Sequence, residues 1–248
     1  LVLHGVYSGG KEVSRVVLHV HGFEGNFYEN KFIGFVGREL VGKGVGFLTG
    51  NTRGAEKIKV FRTSDDEYVT LGARYERLED AYRDIDSWIE AIDRICNTKV
   101  EIVLQGHSLG TMKVVRYLKE GRYKDRVRGL ILLAPFDKNA FLRQIADKPI
   151  EELLDLAQKQ IDQGRGRNLF DFAPKEERMS AVTFVSWYGQ DDAGRVFDLS
   201  HKEYNFPALT SIEVPTLVAV SRDDEFFHSS NPSDPEEAMA IFEKYIKQ

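Results

Sequence analysis

Ser108 stands at the centre of the segment GHSLG, residues 106–110, and this segment constrains the fold more than any other part of the sequence. Before it, residues 100–104 form an apolar run that is typical of a buried parallel strand. After it, residues 111–120 carry apolar side chains at helical spacing. The sequence therefore predicts a strand, an abrupt turn and a helix, with glycines at the two positions where side chains would collide.

The predicted turn pushes the Ser108 hydroxyl out of the carboxyl edge of a sheet, beside a helix N-terminus that favours negative charge. The alternative is that Ser108 only caps the helix at an ordinary tight turn. A helix cap does not require glycine on both sides, so the spacing favours the first interpretation.

Strand-like and helical segments alternate along most of the chain. Strands are predicted at residues 15–20, 45–49, 100–104, 127–133 and 215–220. Helices are predicted at residues 31–41, 78–95, 111–120 and 235–246. This order predicts an α/β fold with a mostly parallel central sheet and helices on both of its faces. In the helix at 78–95 we expect the acidic residues, Asp84 among them, to face water.

The alternation stops after residue 137. Between residues 138 and 204 the pattern predicts helices at 140–146, 150–163 and 180–188, and it predicts no strand. We therefore predict a core made of residues 1–137 and 205–248, with residues 138–204 as a helical cap inserted over the carboxyl edge of the sheet.

Composition excludes several classes of function. The net charge is -5 and no basic tract is present, which argues against nucleic acid and anionic membrane surfaces as partners. No apolar run approaches the roughly 20 residues of a membrane helix. One cysteine excludes an intramolecular disulfide and a cysteine-based metal cluster, and we expect no cofactor and no metal. We expect a cytoplasmic protein; the chain starts at Leu1, not methionine, which leaves a removed leader open.

Three features in this order resemble the α/β-hydrolase superfamily, in its serine esterase and acyl-hydrolase branch. They are His21-Gly22 after an early strand, the GHSLG turn, and an acidic residue after a late strand. The resemblance covers most of the chain, and the loop HGFEGN at residues 21–26 is locally similar to that of feruloyl and cinnamoyl esterases. The resemblance implies a serine hydrolase that cleaves small-molecule carboxylic esters through an acyl-enzyme on Ser108.

The resemblance also implies an oxyanion hole made of backbone N–H groups. One donor is Leu109, which follows the nucleophile, and the other is Phe23, which follows His21-Gly22. Gly22 would let that loop approach closely, and the alternative is a plain turn.

For the catalytic acid, the resemblance selects Asp224, counted from the small residue that ends the last strand. Asp223 is the alternative by one residue, and a solvated acidic turn is a third interpretation. A carboxylate at this place would orient the catalytic imidazole and stabilise its protonated form.

The general base is not identified in the sequence. His19, His21 and His107 belong to the predicted strand, loop and turn, where we expect structural roles. His201 and His228 remain, and His228 follows Asp224 too closely to match the family. In the family the catalytic histidine follows one further helix and strand, so we expect it beyond the end of the sequence.

Trp187 and Tyr188 are predicted to line an apolar pocket over Ser108, because the insertion has more aromatic side chains than small helices need. A thioesterase, amidase or peptidase could use the same turn, since the turn does not encode the leaving group. A non-catalytic module that binds a ligand or partner in the pocket is the alternative from a different class. The sequence does not predict the oligomeric state.

Overall fold

A six-stranded sheet lies at the centre of the computed structural model, which describes residues 1–97, 99–189, 191, 194–201, 203–224 and 234–247. Its strands are β1 Gly5–Ser8, β2 Arg15–Val20, β3 Gly46–Gly50, β6 Glu101–His107, β7 Val127–Leu133 and β8 Thr216–Ala219. The order is β1-β3-β2-β6-β7-β8, and β1 is antiparallel to β3 while the other neighbours are parallel. The predicted mostly parallel sheet is confirmed.

The helices of the described chain are α1 Lys31–Gly42, α2 Ala81–Ile95, α3 Leu109–Glu120, α4 Lys138–Ile145, α5 Ile150–Gln160, α6 Ala181–Tyr188, α7 Pro207–Thr210 and α8 Pro235–Tyr245. Strand β2 shows how they cover both faces of the sheet. Leu18 points into the large core that contains α2 and α3, and Val17 packs against Ile33 of α1 on the opposite face. Each such fully buried aliphatic side chain contributes about 1.5–3 kcal/mol to stability.

The parallel register aligns the carboxyl ends of four strands. Val20 at the end of β2 is opposite Gly106 of β6, and His107 is opposite Leu133 at the end of β7. Leu133 is in turn opposite Ala219, the last residue of β8. The segments that follow these strands therefore leave the sheet at one edge, which is where an open α/β sheet forms its binding site.

The acidic residues of α2 do not all face water as predicted. Asp84 is buried and accepts hydrogen bonds from the backbone and the guanidinium of Arg53. The prediction was wrong at this residue because Arg53, in the loop after β3, supplies a cation that neutralises the carboxylate inside the protein.

Two further features lie outside the sheet. Strands β4 Lys59–Arg62 and β5 Tyr68–Leu71 form a separate hairpin that the sequence pattern did not predict. Among the described residues of 138–204, the structure has helices and one isolated bridge, Leu169 to Ser180. Within the part of the chain that is described, no helix has the length and apolar character needed to cross a membrane.

Candidate active site

The chain reverses direction at Ser108 within a single residue. Strand β6 ends at His107 and α3 begins at Leu109, and Ser108 between them has φ 52° and ψ -124°. Its N–H donates a hydrogen bond to the carbonyl oxygen of Leu133, at 2.9 Å. A positive φ at a residue with a side chain costs about 1–3 kcal/mol, and such strain collects at functional sites.

The two glycines around Ser108 are required by contacts with backbone atoms. A Cβ at Gly106 would lie 2.5 Å from the carbonyl oxygen of Gly110. A Cβ at Gly110 would lie 2.2 Å from the carbonyl oxygen of Val20, at the end of β2. Backbone atoms of a sheet cannot move aside cheaply, so these approaches explain why the sequence has glycine at both positions.

The loop after β2 packs directly against the serine. A Cβ at Gly22 would lie 2.9 Å from both the Ser108 Cβ and the His107 carbonyl oxygen, and 3.4 Å from the Leu109 nitrogen. The structure thus brings together Ser108, the Leu109 N–H and the peptide that joins Gly22 to Phe23. A negatively charged oxygen bound here would also meet the N-terminus of α3, whose dipole favours negative charge.

His21 is buried in this loop and holds it in place. Its Nδ1 lies 2.9 Å from the Gly22 carbonyl oxygen, and its Nε2 accepts a hydrogen bond from the Thr52 N–H at 3.0 Å. Since Nε2 is an acceptor, the proton of the neutral ring is on Nδ1, which donates to Gly22. Burial lowers the pKa of His21 to about 3, and the positive charge of Lys113 acts in the same direction.

A buried ion pair lies behind His21. The Lys113 ammonium is 2.6 Å from a carboxylate oxygen of Glu76, and both side chains are almost fully shielded from solvent. The Thr52 hydroxyl lies between this pair and His21, 3.3 Å from Glu76 Oε1 and 3.1 Å from His21 Nε2. Burial raises the pKa of Glu76, and the Lys113 charge opposes that rise.

Sequence reasoning missed Glu76, Thr52 and the role of Lys113. In the sequence Lys113 lies between the apolar positions of α3 and resembles an ordinary solvated cation. One signal was present. A helix that begins at the turn after a central strand is covered by other elements on most of its sides. A cation in the first two turns of such a helix is therefore buried and must be paired.

Asp224 lies within electrostatic range of His107. Burial lowers the pKa of His107, and the negative charge of Asp224 acts against that shift, so the two side chains are close enough to interact. Asp224 is half-buried, whereas its neighbour Asp223 is exposed and its N–H donates to the Ser221 hydroxyl at 3.2 Å. The surroundings therefore favour Asp224 over Asp223 as the predicted acid, which stays a prediction.

Among the described residues, no histidine is placed to act as a base toward Ser108. His201 lies beside Asp198 in the insertion, with 3.8 Å between its Nδ1 and the carboxylate, and its side chain is 57% exposed. His228 lies outside the described residues. In the described chain no histidine is hydrogen-bonded to Ser108.

The two aromatic residues predicted to line the pocket differ in their surroundings. Trp187 donates from its indole Nε1 to the Glu76 carbonyl oxygen at 2.9 Å, and its ring meets that of Phe23 edge-on at 5.2 Å. Tyr188 is fully buried, and its hydroxyl donates to Glu177 at 2.6 Å. Trp187 therefore reaches the loop beside Ser108, and the Tyr188 hydroxyl is held within the insertion.

Comparison with known proteins identifies the family. The family model described as "Protein of unknown function (DUF1749)" matches residues 64–248, which is more than half of the chain. The chain belongs to this family. No curated protein matches the sequence.

Several solved structures are similar to this chain over nearly its whole length, as three examples show. Est1E from Butyrivibrio proteoclasticus, with ferulic acid bound, is 17% identical, with a TM-score of 0.59 over 99% of this chain and 82% of that one. The monoacylglycerol lipase of Paleococcus ferrophilus is 19% identical, with a TM-score of 0.59 over 100% and 85%. A soluble variant of monoglyceride lipase from Saccharomyces cerevisiae, in complex with a substrate analog, is 16% identical, with a TM-score of 0.61 over 99% and 79%. The likeness confirms the α/β-hydrolase fold.

Metal ligands are not grouped in the described residues, where no cluster of three or more His, Cys, Asp or Glu side chains could hold a metal ion.

Proposed function

We propose that this member of the DUF1749 family is a serine hydrolase that cleaves carboxylic esters through an acyl-enzyme on Ser108. The observation that carries the proposal is the strained backbone of Ser108 together with the direct approach of Gly22 to its side chain. A structural turn or a binding surface has no need of a serine held at positive φ against a second loop.

In the proposed reaction the Ser108 Oγ attacks the carbonyl carbon of the ester, and its proton passes to a base. The tetrahedral intermediate then expels the alcohol, which takes the proton from the base. Water attacks the acyl-enzyme by the same steps in reverse and releases the acid. By the family resemblance the base is a histidine, oriented by the Asp224 carboxylate.

The oxyanion of the intermediate would be held by the N–H groups of Leu109 and Phe23. The Leu109 N–H belongs to the first turn of α3, where N–H groups have no acceptor within the helix. The helix dipole strengthens its interaction with an oxyanion. Removing one such donor in other hydrolases costs about 100- to 1000-fold in turnover, so these two N–H groups should contribute substantially to the rate.

The proposed substrates are small esters with an apolar acyl or alcohol part, accommodated below the helices of residues 138–204. Trp187 contacts Phe23 from this insertion, which supports a cap that lies next to the reacting carbonyl. The similar structures include monoacylglycerol lipases and an esterase with ferulic acid bound, and these agree with an apolar acyl group.

The test is a kinetic panel in which the full-length natural protein, called the full chain below, is offered p-nitrophenyl esters of increasing acyl length, a matched thioester and a matched anilide. We expect hydrolysis of the esters, and we expect Ser108→Ala to lose at least about 10,000-fold in kcat/KM. Ser87→Ala, which changes an exposed serine on α2, is the matched control and should leave kcat/KM unchanged.

Each other outcome has a defined meaning. Faster turnover of the thioester or anilide would replace the ester assignment while keeping Ser108 as nucleophile. Equal rates for Ser108→Ala and the unchanged protein would refute the mechanism. No turnover of any substrate would support a non-catalytic ligand-binding module.

A further inference from the structure

The Gly22 carbonyl oxygen accepts two hydrogen bonds inside the loop. His21 Nδ1–H donates to it at 2.9 Å, and the Gly25 N–H donates to it at 3.3 Å. The same peptide group contains the Phe23 N–H. A trans peptide is planar and its C=O and N–H point in opposite directions, so fixing the Gly22 carbonyl also fixes the direction of the Phe23 N–H.

The carbonyl bonds also affect the strength of the Phe23 N–H as a donor. Hydrogen bonds accepted by an amide oxygen polarise the amide and strengthen its N–H in a low-dielectric environment. The neutral ring of His21 can donate from Nδ1 only while its Nε2 is an acceptor, and the Thr52 N–H donates to that Nε2 at 3.0 Å. The orientation of the Phe23 peptide therefore depends on Thr52.

Thr52 is held by the ion pair behind it. Its hydroxyl lies 3.3 Å from Glu76 Oε1 and accepts a hydrogen bond from Lys113 Nζ at 3.4 Å. Lys113 and Glu76 are joined at 2.6 Å, and a Cβ on Gly54 would come within 1.9 Å of Glu76 Oε2. The backbone at Gly54 thus packs closely against one side of the carboxylate. His21, Thr52, Glu76 and Lys113 are named the loop-support network below.

Glu76 is connected to Phe23 by a second route through the backbone. Its carbonyl oxygen accepts the hydrogen bond from Trp187 Nε1 at 2.9 Å, and the Trp187 ring packs edge-on against the Phe23 ring. Glu76 is therefore linked to Phe23 twice, through its side chain by way of the loop-support network and through its main chain by way of Trp187.

Removing Glu76 and Lys113 from water costs free energy, and packing alone does not require that cost. An apolar pair of similar volume commonly stabilises a protein as well as a buried ion pair does, because neither member must be taken out of water. The ion pair instead supplies direction, since its hydrogen bonds lead through Thr52 and His21 to one carbonyl beside Ser108.

We propose that Glu76 and Lys113 are positioning residues that aim the Phe23 N–H at the oxyanion, acting through Thr52, His21 and the Gly22 carbonyl. The proposal rests on the proposed esterase function. Neither residue touches the substrate, so their loss should lower kcat and leave KM nearly unchanged.

The test compares the full chain with the double variant Glu76→Leu/Lys113→Met, which replaces the ion pair by apolar side chains of similar volume. We expect the double variant to fold and to lose about 10- to 100-fold in kcat, with KM changed less than about threefold. Imidazole 15N chemical shifts should report the Nδ1–H tautomer of His21 in the unchanged protein and a mixture of tautomers in the double variant.

Thr52→Val is the second variant, because it removes only the hydroxyl and leaves Glu76 paired with Lys113. It should lower kcat by about 3- to 10-fold through the same route. Glu101→Gln, which removes the carboxylate paired with Arg15 at the opposite end of β6 from Ser108, is the control and should keep kcat.

The results separate this proposal from the function on which it rests. Hydrolysis by the unchanged protein together with unchanged kcat in both Thr52→Val and the double variant would overturn the proposal and leave the function standing. An unchanged protein without turnover would overturn both. If the double variant fails to fold, the kcat of Thr52→Val decides the question: a fall of about 3- to 10-fold supports the proposal, and an unchanged kcat overturns it.

Discussion

Two buried carboxylates in this molecule have pKa values that are shifted in opposite directions. At Glu76 burial raises the pKa, and the single cation Lys113 is buried with it. At Asp198 burial also acts to raise the pKa, but the hydrogen bonds and charges of Arg143 and Arg195 outweigh it, and the pKa lies below its ordinary value. Both arginines are 2.9 Å from the carboxylate and remain partly exposed.

The difference follows from what each carboxylate connects. Asp198 ties α4, which carries Arg143, to the segment after α6, and it leaves its cations in contact with water. Glu76 pairs with Lys113 out of contact with water. A chain of hydrogen bonds leads from this ion pair to a carbonyl group beside Ser108. Buried charge thus joins two segments in the insertion, whereas in the core we propose that it orients the Phe23 N–H at the candidate site.

The largest effect on turnover is expected from neither of these carboxylates but from the predicted acid. Asp224→Asn should lower kcat by about 1,000- to 10,000-fold without unfolding the protein, because the imidazole loses its orienting partner. Asp223→Asn is the matched control and should cost less than about tenfold. A reversal of the two effects would assign the acid to Asp223, one residue earlier.

Stability measurements should sharpen the comparison between the two buried carboxylates. Glu76→Gln leaves Lys113 buried without its counter-ion and should cost about 3–5 kcal/mol in the free energy of unfolding. Asp198→Asn should cost less, about 2–3 kcal/mol, because Arg143 and Arg195 can turn toward water. Urea unfolding followed by circular dichroism measures both. Equal losses would mean that the exposure of the cations does not matter.

Much of this architecture could be predicted from the sequence, because the signals are local. The apolar run of β6, the two glycines and the helical spacing after Ser108 lie within 21 consecutive residues, 100–120. The ion pair of Glu76 and Lys113 has no local signal, since its members are 37 residues apart and each resembles a solvated charge. The hairpin of β4 and β5 was missed because strands of four residues are too short to establish a period.

Substrate selectivity should depend on only one of the two neighbouring aromatic residues of α6. Trp187→Ala removes the ring that packs on Phe23 and should shift the ratio of kcat/KM between bulky and short acyl esters by about 1–3 kcal/mol. Tyr188→Phe removes only the hydroxyl bonded to Glu177 and should leave that ratio unchanged while lowering stability by about 1–3 kcal/mol. An unchanged ratio in Trp187→Ala would remove Trp187 from the pocket.

The smallest effect concerns His19, which is buried on β2 with its Nδ1 2.9 Å from Gln105 Nε2. Burial, and to a lesser degree the charge of His107, lowers the pKa of His19 to about 3. Between about pH 6.5 and pH 3 the unfolded chain binds a proton at this residue that the folded protein does not bind, so stability falls as the pH falls.

His19→Gln should remove this term. Below pH 6 its unfolding free energy should fall less steeply with decreasing pH than that of the unchanged protein, by about 1.4 kcal/mol per pH unit. Groups that both proteins share cancel in the difference. Urea unfolding at several values between pH 6 and pH 4.5 measures it, and parallel curves would show that His19 is protonated in the folded state.

The central claim is that Ser108 becomes covalently acylated. The most direct measurement treats the full chain with a fluorophosphonate probe, which reacts with activated serines, and locates the adduct by peptide mass spectrometry. We expect one adduct, on Ser108 in the peptide that contains GHSLG, and none in Ser108→Ala. An adduct on a different serine, or hydrolysis of esters by a protein whose Ser108 stays unlabelled, would contradict the claim.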